Sequence, residues 1–71
     1  MNVGAAIVQL LNENNLEPKD LRRGTGLSSA YISQLMTGKQ KDVSLKKAIV
    51  IADFFGITLN ELVEYAIKYG D

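Results

Sequence analysis

The 71-residue sequence has no cysteine and no histidine, and it holds a single proline. Disulfides and structural zinc, the usual staples of a domain this small, are therefore excluded, and side-chain packing alone must stabilise the fold. One proline and six glycines are too few for a linker-like polymer, and 46% hydrophobic residues argue for a folded chain. No apolar run approaches the roughly 20 residues needed to cross a bilayer. Met1 to Gly4 lacks the basic start and apolar core of a secretory signal, so a cytoplasmic protein with no membrane association is expected. With no His or Cys, a nucleophile would depend on Lys or a carboxylate as its base. No paired carboxylates stand out and the acids form no ligand run, so neither an enzyme nor a metal or other cofactor is expected. At this length one core is all the chain can bury, which makes residues 1–71 a single domain.

Net charge is zero, yet the charges are segregated. From Lys19 to Lys47 there are seven basic residues against two acids; the remainder carries Lys68 against six acids. Such a division gives one region that attracts a polyanion, although a solvated charged loop yields the same count.

Val3, Ile7, Leu10 and Leu11 recur at helical spacing until Asn12, Asn14 and Asn15 interrupt it, which predicts a first helix from about Val3 to Asn14. Pro18 suits the first position of a second helix, where its missing N–H costs nothing, ending between Gly24 and Gly26. Ser28 can cap a third helix over Ser29 to Met36 that stops at Gly38. Ser44 can cap a fourth from Leu45 to Phe55, apolar on nearly all sides and ended by Gly56. Thr58-Leu59-Asn60-Glu61 has the spacing of a capping box and opens a fifth helix that runs to about Tyr69. No stretch alternates like a strand, so the fold expected is an all-α bundle of five helices.

Two short helices joined by Gly26-Leu27-Ser28, with apolar anchors at Leu21, Leu27, Ile32 and Leu35, have the layout of a helix-turn-helix. The chain reverses there over about four residues, and such turns need a residue free to take positive φ, which Gly26 supplies. Around this motif stand Asp20-Leu21, Tyr31-Ile32-Ser33-Gln34-Leu35, Gly38-Lys39, Ser44-Leu45 and the run Ile51 to Leu62. With these pieces the sequence resembles the phage-repressor (Cro/CI, XRE-type) helix-turn-helix family from about Ile7 to Val63.

The resemblance implies a lambda-repressor-like bundle whose third helix enters the major groove of double-stranded DNA. Carried over position by position, the implied base readers are Ser29, Ala30, Ser33, Gln34 and Thr37. Among them Gln34 can grip one adenine in a bidentate contact, and Ala30 offers a thymine methyl an apolar contact. Ser28, Arg23 and the loop Lys39-Gln40-Lys41 fall to the phosphates, which fix register without reading sequence. The chain departs from the family at Pro18, where Gln is common, and at Met36, where an acid is frequent. It departs again at Arg22, where a small residue is usual; a long side chain at that helix crossing must snorkel outward or widen the crossing angle.

Several of these residues also have plainer uses. Ser28 serves as a cap whether or not it meets a phosphate, and Lys39, Lys41, Lys46 and Lys47 fit a solvated face as well. Tyr31 is expected to lay its ring beside the helix with its hydroxyl towards the backbone. On the last helix, Leu59, Leu62, Val63, Tyr65, Ala66, Ile67 and Tyr69 spread over roughly 200°, more than one core requires. The excess fits a two-fold homodimer interface built from Val63, Tyr65, Ile67 and Tyr69, or else outer tyrosines half-exposed on a monomer. The functional expectation is a sequence-specific transcriptional regulator, acting as a repressor on a palindromic operator. Its rivals are an antitoxin or restriction-control regulator that also binds a protein partner, and a helix-turn-helix module serving protein interaction alone.

Overall fold

The computed structural model describes residues 1–70. Five helices follow one another: α1 Val3–Glu13, α2 Pro18–Thr25, α3 Ser29–Thr37, α4 Leu45–Phe55 and α5 Leu59–Gly70, with no strand among the described residues. Each boundary lies at or within one residue of its predicted place, because most ends are set by short-range hydrogen bonds. Ser28 Oγ accepts the Tyr31 N–H at 3.1 Å and Ser44 Oγ accepts the Lys47 N–H at 3.3 Å. Thr58 and Glu61 close a reciprocal capping box, with distances of 3.1 and 2.9 Å. Pro18 is the first residue of α2, and Asp20 reaches back to accept the Glu17 N–H at 2.8 Å. After α1 the Asn14 amide donates to the Leu10 carbonyl at 2.7 Å and Asn15 takes a left-handed φ of 54°.

The core draws on every helix. Val3, Ala6, Ile7, Leu10 and Leu11 of α1 meet Leu21 of α2, Ile32 and Leu35 of α3, Ala48, Ile51 and Ala52 of α4, and Leu62 and Ala66 of α5. Each large aliphatic side chain removed from water contributes about 1.5–3 kcal/mol, and no buried polar side chain offsets it among the described residues. The α4 helix, apolar on most of its circumference, turns Ala48, Ile51 and Ala52 inward and leaves Leu45 and Ile49 exposed.

Two glycines set how near the helices come. A Cβ on Gly24 would lie 2.3 Å from the Phe54 ring, so α2 rests directly on that side chain of α4. A Cβ on Gly4 would lie 1.7 Å from the carbonyl oxygen of Leu35, so the first turn of α1 sits against the backbone of α3. Gly4→Ala gains up to about 1 kcal/mol of helix propensity. It also forces backbone against backbone, where no side chain can rotate away, and overpacking of this kind costs about 1–3 kcal/mol or more. The expected outcome is net destabilisation of at least about 1 kcal/mol in a urea melt; an unchanged or raised midpoint would show that α1 and α3 are not in this close contact.

Candidate nucleic-acid interface

The turn between α2 and α3 is built by its own residues. Gly26 has φ 77°, the left-handed conformation that a side chain disfavours, and its N–H donates to the Arg22 carbonyl at 2.9 Å. Thr25 joins both sides of the bend: its hydroxyl donates to the Leu21 carbonyl at 2.6 Å and accepts the Leu27 N–H at 3.2 Å. Leu27 then packs on the core and Ser28 starts α3.

Ile32 and Leu35 fasten α3 to the core, which fixes what the rest of the helix presents. At about 100° per residue, Ser29, Ser33, Thr37, Ala30 and Gln34 fan in that order across an arc of roughly 140° opposite these anchors. All five are exposed. The Gln34 carbonyl is occupied, accepting the Gln40 N–H at 2.9 Å, while its amide head makes no bond to the chain among the described residues. The structure therefore brings the five implied base readers onto one open surface.

Different helices border the two edges of that surface. Along the Ser29, Ser33 and Thr37 edge runs a cleft of about 480 Å³, walled on its far side by Pro18, Lys19 and Arg22 of α2. Ile32 and Met36 add apolar lining. Arg22 thus reaches the surface with its stem beside the crossing, the snorkelling alternative for a long side chain there. At the opposite edge Lys47 of α4 lies over the Tyr31 ring, 4.2 Å from its centroid. Tyr31 was expected to send its hydroxyl to the backbone, and it makes no such bond among the described residues; its ring instead takes up a cation from the next helix.

Ser28, Arg23, Lys39, Gln40 and Lys41 are likewise exposed. The loop after α3 is tied down at several points. The Gln40 side chain donates to the Asp42 carbonyl at 2.8 Å, and the Lys41 carbonyl accepts the Val3 N–H at 3.3 Å. Gln40 therefore has a local structural role that its composition does not announce. The spacing Ser44-x-x-Lys47, which matches a known nucleophile and base pattern, is here only a helix start: the serine oxygen is the cap and the lysine head is on Tyr31.

Sequence reasoning left Lys19 and Arg22 out of the contact surface, although both line the cleft beside α3. Lys19 lies in the first turn of α2 and Arg22 in the last, and only the crossing of the two helices places both beside α3. On α5, Ile67 and Tyr69 stand exposed at 59% and 40%, whereas Val63 and Tyr65 are half-buried. The Tyr65 hydroxyl donates to a Glu13 oxygen at 2.6 Å, and the Tyr65 and Tyr69 rings stack with centroids 5.6 Å apart.

A five-helix domain that projects a polar α3 from a helix-turn-helix is a DNA-reading module. The chain matches the Cro/C1-type HTH DNA-binding domain over residues 6–66, and it belongs to that family. No curated protein and no solved structure gives a match. No helix of the described residues is long and apolar enough to cross a membrane, and their Asp and Glu residues nowhere group in threes as a metal site requires.

The hydrogen bond between Tyr65 and Glu13 makes a pH signature. The phenol donor holds the Glu13 carboxyl below its ordinary value of 4.5, and the same bond raises the Tyr65 hydroxyl above 10.0. A lowered carboxylate pKa contributes stability that is present above 4.5 and fades as pH falls through the folded value; a raised phenol pKa contributes below 10.0 and is lost as pH rises beyond it. Tyr65→Phe is therefore expected to lower the denaturation midpoint slightly at pH 7 and to make no difference at the acid and alkaline extremes. A difference that persists at both extremes would point to lost packing instead.

Proposed function

We propose that the chain is a transcriptional regulator acting in the cytoplasm, a repressor by occupancy, whose α3 reads operator DNA in the major groove. The observation that carries this reading is the open arc of Ser29, Ala30, Ser33, Gln34 and Thr37, bordered by cations from α2 on one edge and α4 on the other. Gln34 discriminates adenine through its free amide, and the shorter side chains admit close approach of the helix to the groove floor. Ser28, Arg23, Lys39, Gln40 and Lys41 hold the phosphates on either side. The lysines need no change of shape to do so, since the loop that carries them is already pinned.

The regulator works as a homodimer on a palindromic operator, with two α3 helices in successive major grooves about 34 Å apart. Support comes from α5, where exposed Ile67 stands beside half-buried Val63 on one flank of the core-facing stripe and exposed Tyr69 beside Tyr65 on the other. A protein partner in addition to DNA is the second reading, and it rests on Leu45 and Ile49, exposed one turn apart on α4.

The roles separate in a selection of bound sequences from a randomised duplex at two salt concentrations. Gln34→Ala is expected to relax one position of the motif, a loss of about 1–3 kcal/mol in discrimination. Lys39→Ala or Lys41→Ala is expected to weaken every sequence alike and to lower the salt slope by about one. Equal, sequence-independent losses from both classes would overturn the assignment of reader and phosphate roles.

Ile67→Glu is expected to turn a dimer into a monomer in sedimentation, and to reduce binding to a full operator far more than to a half-site. A wild-type chain that sediments as a monomer and occupies one half-site would remove the two-fold reading.

A further inference from the structure

Three of the five implied base readers, Ser29, Ser33 and Thr37, form the α2-side edge of the exposed arc, and all three end in a hydroxyl close to the backbone. Side chains so short reach only what lies directly against the helix. They leave beside them the cleft of about 480 Å³, and across it stands Arg22. Leu21, the preceding residue, is fully buried, which fixes the α2 backbone and hence the origin of the Arg22 side chain. Arg22 is exposed and forms no ion pair among the described residues, whereas Lys19, the other cation of the cleft, is 3.3 Å from Glu17.

We propose that Arg22 is a sequence-reading residue, which spans the cleft beside Ser29 and Ser33 and donates from its planar guanidinium to the O6 and N7 atoms of a guanine in the major groove. The inference rests on the operator-binding reading above. Ile32 and Met36 line the same cleft and give its wall apolar surface along which the Arg22 stem can lie, leaving the charged fork free to extend towards the reading surface of α3. That fork matches the two acceptors of guanine, and the cleft is open to receive the base edge. Reading would then be shared between helices: α3 reads through Gln34 on one edge of the arc, and α2 supplies the long side chain that the other edge lacks.

The test compares wild type with Arg22→Ala and Arg22→Lys by selection from a randomised duplex. Binding is then measured to the selected duplex with each guanine replaced in turn by 7-deazaguanine, which lacks the N7 acceptor. The expected result is that wild type requires one guanine, that Arg22→Ala loses that preference by roughly ten-fold or more while the other positions stay selective, and that Arg22→Lys loses it with the salt slope kept. The 7-deazaguanine substitution at that position weakens wild type and leaves Arg22→Ala unaffected. Thermal melts establish that both variants fold, and Arg22→Lys carries the test if Arg22→Ala does not. A uniform loss over all sequences with the salt slope falling by about one would make Arg22 a phosphate contact and overturn the proposal. So would a wild-type motif retained in full by both variants. A wild type that selects no motif would overturn the operator reading itself, and this inference with it.

Discussion

The orientation of α3 hangs on how closely α1 approaches it. Only Ile32 and Leu35 of α3 are fully inside the core, which leaves a nine-residue helix with a narrow footing. Two side chains set which face points inward, but they fix the tilt of so short a helix poorly. Gly4 supplies the missing restraint: with no Cβ, the first turn of α1 lies against the Leu35 carbonyl and holds the backbone of α3 directly. The Val3 N–H, donating to Lys41, extends the same contact to the loop that follows α3. Both α3 and the loop that follows it are thus referred to α1, in addition to the Gln40 N–H that ties the loop to the Gln34 carbonyl.

Around that contact the electrostatics follow from the order of the helices. Seven of the eight basic residues, all but Lys68, belong to α2, to the loop after α3 and to the start of α4, and these are the elements that surround the exposed arc of α3. Four of the eight acids, Glu13, Asp53, Glu61 and Glu64, lie on α1, the end of α4 and α5. A chain of zero net charge can therefore present a cationic side to a polyanion, since potential near a surface depends on the local arrangement and not on the total. Tyr31 adds to this by holding Lys47 against α3, where an unsupported lysine would sample many rotamers.

Helix starts and stops were legible in the sequence because their determinants are local. Ser28, Ser44 and the Thr58 to Glu61 box each bond within three residues, and the turn at Gly26 needs only its own φ. The stripe of candidate readers came from the family resemblance, carried over position by position. Pairings across the fold were not legible. Nothing in the local pattern of Gly4 announces Leu35, nor does Glu13 announce Tyr65, 52 residues away. Tyr31 marks the limit: its ring is expected beside the helix, but the partner waiting on that flank comes from α4. The same limit kept Lys19 and Arg22 out of the candidate surface, because a cleft between two helices is a property of their crossing.

The five exposed positions of α3 have a consequence for how such a protein diverges. None of their side chains enters the core, and among the described residues the sole hydrogen bond these side chains make is a long one of 3.4 Å from the Thr37 hydroxyl to the Gln34 carbonyl. Substitutions at positions of this kind change stability by about half a kcal/mol or less. Under the proposed reading, binding preference can then drift one residue at a time while the scaffold stays folded at every step. Duplicated copies of the gene would be free to acquire separate targets without crossing an unstable intermediate.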